Sequence, residues 1–425
     1  MKILISAYAI CPDMGSEPGM GWNWCVNLAN YCELYIITET EFKEQIESRL
    51  ASLPQDKNMH FYWLPAGKDE AQSAKNRRMC WNQGDWRFYY YYKQWQKRAA
   101  EIARQICQEQ KIDILHQLNM VGFREPGMLY KINEQRKKGG KNVKPLVWGP
   151  IAGYGSVPST FMMKGGIKFT AFYTLKNILN YFQFNWHKRV RKMIRTCDAL
   201  ICATPPIQRA AKKYHNKESL LISETGCFPV ETSVVEKSAK NNTFDLLWVG
   251  RFLYTKQLEI ALEVVKKLEH IDNLSLHIVG QGSSPEETLE YKQYAQQIGV
   301  ADRCVWHGQI PNQQVQQMMR TADLFFFTSI FEATSTVVLE AVSNNLPVLC
   351  FDACGMAAVI DESVGMKIPL TNPEQSVKDF AEKINFLYHH PEELQRMSAN
   401  CPQKAQELSW DNKAKQMVEI YQGLI

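Results

Sequence analysis

Apolar, β-branched runs of strand length alternate with helix-period segments along almost the whole chain. This is the pattern of βαβ units, with helices covering both faces of parallel sheets. Residues 2–9, 34–38, 60–64, 113–118, 145–148, 199–203 and 219–223 read as strands, enough for one doubly wound sheet. After a polar stretch the alternation restarts, with strands expected over 245–249, 274–279, 303–306, 324–328 and 347–351. The pattern predicts an α/β protein of two similar Rossmann-like domains, 1–226 and 244–405. The linker falls at 227–243, where the run EKSAKNNTF is charged and poor in apolar residues. The closing segment, 406–425, carries Ala414, Met417, Val418, Tyr421 and Ile425 at helical spacing, so a helix packing back on the first domain is expected there.

Composition narrows the class. Of 425 residues 45% are hydrophobic and 22% charged, which excludes collagen-like, coiled-coil and wholly disordered chains. Lys and Arg number 49 against 44 Asp and Glu, and a net +5 over this length is too weak for a dedicated nucleic-acid binder. No apolar run approaches membrane-spanning length, and the start MKILISAYAICP reads as a first strand rather than a signal peptide, so a cytoplasmic location is expected. The twelve cysteines are scattered without a CxxC pair and read as small buried thiols. HExxH, clustered His and Asp-x-Asp are all missing, so metal-free chemistry with no cofactor is the expectation.

Open parallel sheets bind ligands beyond the carboxyl ends of their strands, and four loops stand out there. Gly15-Ser-Glu-Pro-Gly19-Met-Gly21 follows the first strand and precedes a helix expected from about Trp22. Its glycines suit a close backbone approach to an anion, or an ordinary tight turn. Gly250-Arg251-x4-Lys256 follows the first strand of the second domain. Two cations beside a helix N-terminus are unfavourable unless they share an anion such as a diphosphate; the alternative is solvated surface charge. In Phe325-Phe-Phe-Thr-Ser-Ile-Phe-Glu332-Ala-Thr334-Ser335-Thr336-Val-Val-Leu-Glu340, two carboxylates flank a helix start where Thr334 to Thr336 supply a cap and free backbone N–H groups. A cap charge at Glu332 and a solvated-face residue at Glu340 are the structural alternatives. Finally, His116 ends the strand DILHQL, either facing a cleft or hydrogen-bonded in the core.

Glu332-x7-Glu340 after a strand, Gly250-Arg251-x4-Lys256, the SEPGMGWNW turn and the closing Leu408-Ser-Trp410-Asp segment together resemble family 4 of the retaining nucleotide-sugar glycosyltransferases. HQLNMVGFREPG and PLVWGPIAGYGSVP look like members from bacterial capsule, O-antigen and exopolysaccharide clusters. The resemblance implies the GT-B fold, two Rossmann-like domains facing a central cleft, and transfer of a hexose from a nucleoside diphosphate sugar, uridine first, to a lipid-linked or growing glycan. It implies that Arg251 and Lys256 grip the diphosphate and offset leaving-group charge where other enzymes use a metal. Glu332 would accept from the sugar hydroxyls, Glu340 from the ribose hydroxyls, and the backbone around Thr334, Ser335 and Thr336 would meet the phosphates. Gly19 and Gly250 would approach the diphosphate, His116 the donor sugar, and Gly308, Gln309 and Ile310 the base. Front-side attack, with the departing phosphate taking the acceptor proton, leaves no enzyme base to name. Many members carry Gly, Phe or Pro after the first Glu, where this chain has Ala333-Thr334-Ser335. Competing functions are an epimerase or phosphorylase on the same scaffold, or a silent nucleotide-binding scaffold protein; a nicotinamide dehydrogenase is disfavoured by the missing GxGxxG.

Two stretches mix aromatics with cations: 81–98, with Trp86, Arg87, Lys93 and Arg98, and 161–195. That composition suits an acceptor-side helix lying on an anionic membrane surface; a buried aromatic core with a solvated basic face is the alternative.

Overall fold

The computed structural model describes residues 1–81, 85–138, 143–229 and 243–425. Its first half holds β1 (Lys2–Ala7), β2 (Glu33–Thr38), β3 (Met59–Trp63), β4 (Ile114–Asn119), β5 (Leu146–Ile151), β6 (Ala199–Cys202) and β7 (Leu220–Leu221). The second half holds β8 (Phe244–Val249), β9 (Leu274–Val279), β10 (Cys304–Gly308), β11 (Leu324–Phe327), β12 (Val348–Phe351) and β13 (Gly365–Ile368). The sheet orders are β3-β2-β1-β4-β5-β6-β7 and β10-β9-β8-β11-β12-β13. Every neighbouring pair is parallel, as in Leu4 opposite Tyr35 or Phe325 opposite Val348. Helices cover both faces of such sheets, so the strands read as continuous apolar runs: β4 and β5 are buried at all six positions.

All twelve strands expected from sequence form. The thirteenth, β13, is new: its four residues, GMKI, open on a glycine and include a lysine, so they lack the apolar run that marks the other four-residue strands. The helix after β1 runs Ser16–Leu28 and starts six residues before the expected Trp22. Gly19 and Gly21 therefore lie inside a helix rather than in a phosphate-facing loop. A Cβ on Gly19 would stand 2.0 Å from the Met14 carbonyl oxygen and one on Gly21 2.5 Å from that of Ala9, so these glycines allow the helix to pack tightly on its own entry loop.

The chain divides into two compact units, Met1–Tyr154 with Asn180–Glu224 and Trp410–Ile425, and Gly155–Leu179 with Thr225–Ser409. The segment 155–179, expected in the first domain, thus groups with the second. Val157, Phe161 and Met162 join the core beneath β8 and β11, the Tyr254 hydroxyl donates to the Phe161 carbonyl at 2.6 Å, and the Phe169 and Tyr254 rings meet at 4.3 Å. Of the expected linker 227–243, residues 230–242 lie outside the described residues. The closing helix, Trp410–Gln422, belongs to the first unit: Trp410, Ala414, Met417 and Tyr421 enter the core around β1 and β2, and the Trp24 and Trp410 rings meet edge to face at 6.0 Å. Ile425 differs from the expectation, lying beyond that helix and exposed. All twelve cysteines are free thiols, nine of them buried. Among the described residues no helix is long and apolar enough to cross a membrane.

Candidate functional site

In the second sheet the order turns back on itself between β8 and β11, so the loops leaving these two strands begin side by side, at the position where doubly wound sheets bind ligands. After β8 the chain passes Gly250 and Arg251, makes a 3-10 turn at Tyr254–Lys256, and enters the helix Leu258–Lys267 through Gln257 in the left-handed region, φ +52°. Gly250 donates its N–H to the Val279 carbonyl at 3.0 Å. Gly280, at φ +132°, lets the two backbones meet there: a Cβ would stand 1.8 Å from the Gly250 oxygen.

The loop after β11 is hydrogen-bonded to this one. The Thr328 hydroxyl accepts from Trp248 Nε1 at 2.9 Å and donates to the Lys256 carbonyl at 2.7 Å. The Ile330 N–H and the Ser329 hydroxyl both donate to the Thr255 carbonyl, at 2.9 and 3.2 Å. These bonds bring Lys256 and Glu332 together as an ion pair, with the Lys256 ammonium also 5.1 Å from the Phe327 ring centre. Glu332 Oε1 accepts from the Ser329 hydroxyl at 3.0 Å, and its backbone N–H donates to Cys354 Sγ at 3.3 Å. Burial pushes the Cys354 thiol up to about 11, so the sulfur stays protonated. Two loops that the sequence presents as separate candidates are one site. The anion that Lys256 needs is supplied in part by the protein itself, while Arg251 is exposed and has no ion-pair partner among the described residues.

The helix Thr336–Ser343 starts from Ser335, whose side chain makes no capping bond. Its first N–H groups lack the satisfaction that Ser, Thr or Asp caps normally give, which leaves a partial positive charge beside Glu332. Glu340 lies one turn in. It is not on a solvated face: burial raises its carboxyl from the ordinary value, the Asn312 and Gln316 side chains act to lower it, and Oε2 is buried with no hydrogen-bond partner among the described residues. A buried carboxylate oxygen without a donor is unfavourable, and a ligand hydroxyl would satisfy it. Thr334 and Ser335 are buried beside the turn, and Gly355 donates to the Ala333 carbonyl at 2.9 Å. On the far side of β8, Gly308 ends β10 at φ +66°, its carbonyl accepting from Gly280 at 2.8 Å. Gln309 accepts from Gln281 at 3.0 Å, and Ile310 packs against the core.

His116 needs correction. Its Nδ1 meets the Tyr421 hydroxyl at 2.5 Å and its Nε2 the Gly149 carbonyl at 2.7 Å, within the core of the first unit. Both ring nitrogens are engaged, and burial lowers the ring to about 4, so this is a neutral structural histidine and not a group free to reach a sugar. Arg98 also differs from its expected acceptor-side role: its guanidinium donates to the carbonyls of Pro65, Ala66 and Gly67 at 2.6, 3.1 and 3.0 Å, holding the loop after β3. Arg87 pairs with Asp85 at 2.7 Å, Lys93 is exposed, and Trp86 stands 76% exposed, whereas Tyr92 and Trp95 of the same stretch are core. No site role is assigned to Thr328, Ser329 or Cys354 from the sequence. The Thr-Ser pair directly after an apolar strand was the available signal, while nothing marks Cys354, which lies 22 residues along the chain from the N–H it meets.

Residues 230–404 match the family model of glycosyl transferases group 1. That segment is similar to the group 1 glycosyl transferases. It contains both loops, the Lys256–Glu332 pair and Glu340. Similar proteins include an uncharacterized glycosyltransferase of Methanocaldococcus jannaschii, 27% identical over 41% of this chain and 44% of that protein. The lipopolysaccharide 1,6-galactosyltransferase of Escherichia coli is 30% identical over 32% of this chain and 38% of its own length. These matches span about half or less of the relatives' length. Over the whole chain the fold is that of the GT-B glycosyltransferases. A glycosyltransferase from Rickettsia africae superimposes with a TM-score of 0.62 at 14% identity, over 100% of this chain and 98% of that one. The Anabaena HepE protein, solved in complex with UDP, gives 0.61 at 14% identity over 100% of both chains.

Proposed function

We propose that the protein is a retaining, family 4 glycosyltransferase that moves a hexose from a nucleoside diphosphate sugar to a lipid-linked or growing glycan of a bacterial surface polysaccharide such as a capsule. Uridine is the base tested first, and the work is done at the cytoplasmic face of the membrane without a metal or other cofactor. One observation carries the reading. Within the segment similar to the group 1 glycosyl transferases, a cation held by a carboxylate, an uncapped helix start and a buried carboxylate with an unpartnered oxygen surround the switch point of one sheet.

Each group has a task suited to its surroundings. The diphosphate lies against Arg251, Lys256, the helix start at Ser335 and Thr336, and the backbone at Gly250. Charge growing on the leaving phosphate meets two cations and a dipole already in position. The donor's phosphate draws the Lys256 ammonium partly away from Glu332, and the carboxylate turns to the sugar hydroxyls. Glu340 Oε2 accepts from the ribose. The backbone of Gly308, Gln309 and Ile310 borders the base. The leaving phosphate oxygen takes the acceptor's proton, so Glu332 acts by positioning and charge and not as a base. The structure of HepE with UDP-glucose and the galactosyltransferase named for lipopolysaccharide support this choice of donor and product class.

The test is a thermal-shift series with UDP, GDP, ADP and CMP in excess chelator, since a ligand that binds only the folded state raises Tm. One diphosphate should stabilise the wild type and fail to stabilise Glu340→Ala. The favoured nucleotide then names the sugars for a transfer assay. If none of the four acts, or if Glu340→Ala responds as the wild type does, the proposed donor site is wrong.

A further inference from the structure

Amphipathic helices of globular proteins turn their apolar face inward. The helix Gly166–Trp186 carries a second apolar face that points outward. Phe172, Leu175, Phe182 and Trp186 are 60, 57, 51 and 52% exposed, and Ala171, Ile178 and Leu179 are exposed beside them. At 100° per residue these seven fall on one stripe, which runs roughly 23 Å along the helix. The inward face is mixed: Phe184 is fully buried and Phe169 and Tyr173 pack against the core, but polar groups lie among them. Thr170 donates to the Met162 carbonyl at 2.6 Å, Asn177 to that of Val157 at 3.2 Å, and Asn180 is buried. Ridges of this size on a soluble surface mark a place where something binds.

Charge identifies the occupant. Between Glu134 and Asp198 the sequence has no Asp or Glu, while Lys164, Lys168, Lys176, Lys188, Arg189, Arg191, Lys192 and Arg195 all fall there. Lys164, Arg189 and Lys192 are paired with Glu374, Glu125 and Glu134. Lys168, in line with the stripe and just N-terminal to it, and Lys188, Arg191 and Arg195, in the following helix Lys188–Thr196, have no carboxylate partner among the described residues. An exposed apolar stripe bordered by unpaired cations and ending in Tyr181, Trp186 and His187 has the composition of a helix lying in a lipid interface. A second copy of the chain is a poor fit, because an isologous contact would set Lys168 and Lys188 of one molecule against the same cations of the other.

We propose that the outer face of the helix Gly166–Trp186 docks on an anionic phospholipid bilayer, lying in the plane of the headgroups with Phe172, Leu175, Phe182 and Trp186 inserted. The inner face of this helix reaches the loops of the candidate site: Phe169 meets Tyr254 edge to face, and Lys176 lies 4.5 Å over the Phe331 ring, next to Glu332. Docking therefore sets the donor loops beside a lipid surface, where a lipid-linked acceptor would be presented. The surface itself does not rest on the glycosyl-transfer reading, and its test needs neither donor nor acceptor.

The full chain is floated with vesicles of phosphatidylcholine alone and with vesicles also containing phosphatidylglycerol. The wild type should partition roughly tenfold or more in favour of the anionic vesicles, less so at high salt. Leu175→Glu with Phe182→Glu should abolish flotation while Tm stays within a few degrees of wild type, since both side chains are exposed. Lys168→Glu with Lys188→Glu, read in parallel, should lower binding to anionic vesicles severalfold and leave the weak binding to neutral ones unchanged. The proposal is overturned if the wild type does not float with anionic vesicles, or if both variants float as it does. A wild-type dimer converted to a monomer by the Leu175/Phe182 variant would overturn it too, because a second copy would then cover the face.

Discussion

Glu332 and Glu340 share one helix start, but their surroundings separate their work. Glu332 is tied to Lys256 with both side chains partly exposed, whereas Glu340 holds a buried oxygen with no partner among the described residues. Glu332→Gln should therefore leave the UDP-induced rise in Tm intact, because Lys256 is freed for the diphosphate, and lower transfer by tenfold or more. The same change leaves a mostly buried ammonium unpaired, so apo stability should fall by about 1–3 kcal/mol, discounted for the pair's partial exposure. A UDP shift lost in Glu332→Gln as it is in Glu340→Ala would deny the two carboxylates separate roles. His116 makes a prediction of another kind. The folded ring stays neutral down to about pH 4, while the unfolded chain's ring takes a proton near pH 6.5. Between those values the unfolded state binds more protons, so this group's contribution is complete above pH 6.5 and is lost as the pH falls towards 4. Denaturation of wild type and His116→Gln across that range should show the wild type's advantage shrinking by about 3 kcal/mol, whereas equal slopes would place the ring in water.

At the scale of elements, apolar periodicity located twelve of the thirteen strands, most clearly where both faces are buried, as in β4 and β5, and least clearly in β7, two exposed residues. β13 opens on a glycine and its signal is broken by Lys367, whose ammonium reaches Asp352 at 3.1 Å. Helix starts were harder to read. Gly19 and Gly21 suggested a loop since glycine is unfavourable in helices, yet the close contacts with Met14 and Ala9 show that packing overrode propensity. Gly19→Ala should cost about 1–3 kcal/mol, as overpacking usually does, despite alanine's better helix propensity. A stabilised variant, measured by urea denaturation, would mean that the entry loop yields easily. The stretch 81–98 divided in the same way: Tyr92 and Trp95 became core, Arg98 a brace for backbone carbonyls, while the aromatics Trp81, Trp86, Tyr89 and Tyr90 remained exposed.

For the molecule as a whole, the last helix completes the first unit. Tyr421 lies 305 residues from the ring it meets, and its side chain fills the core while its hydroxyl contacts His116. Tyr421→Ala should lower stability by about 3–5 kcal/mol through the cavity and the lost partner, and Tyr421→Phe by about 1–2 kcal/mol through the hydroxyl alone. Equal losses would mean that the hydroxyl contact, not the ring's volume, holds the helix. The sequence by itself determined what depends on local pattern: two parallel sheets, the boundary region, the closing helix, and the residue types of the donor loops. These are legible because periodicity and spacing act over a few residues. Only the tertiary structure decided that the Lys256 and Glu332 loops are one site, that His116 is a core residue, that 155–179 serves the second unit, and that one helix turns its apolar stripe to solvent. Each of these depends on which distant segment supplies the other half of a contact, and no local pattern carries that information.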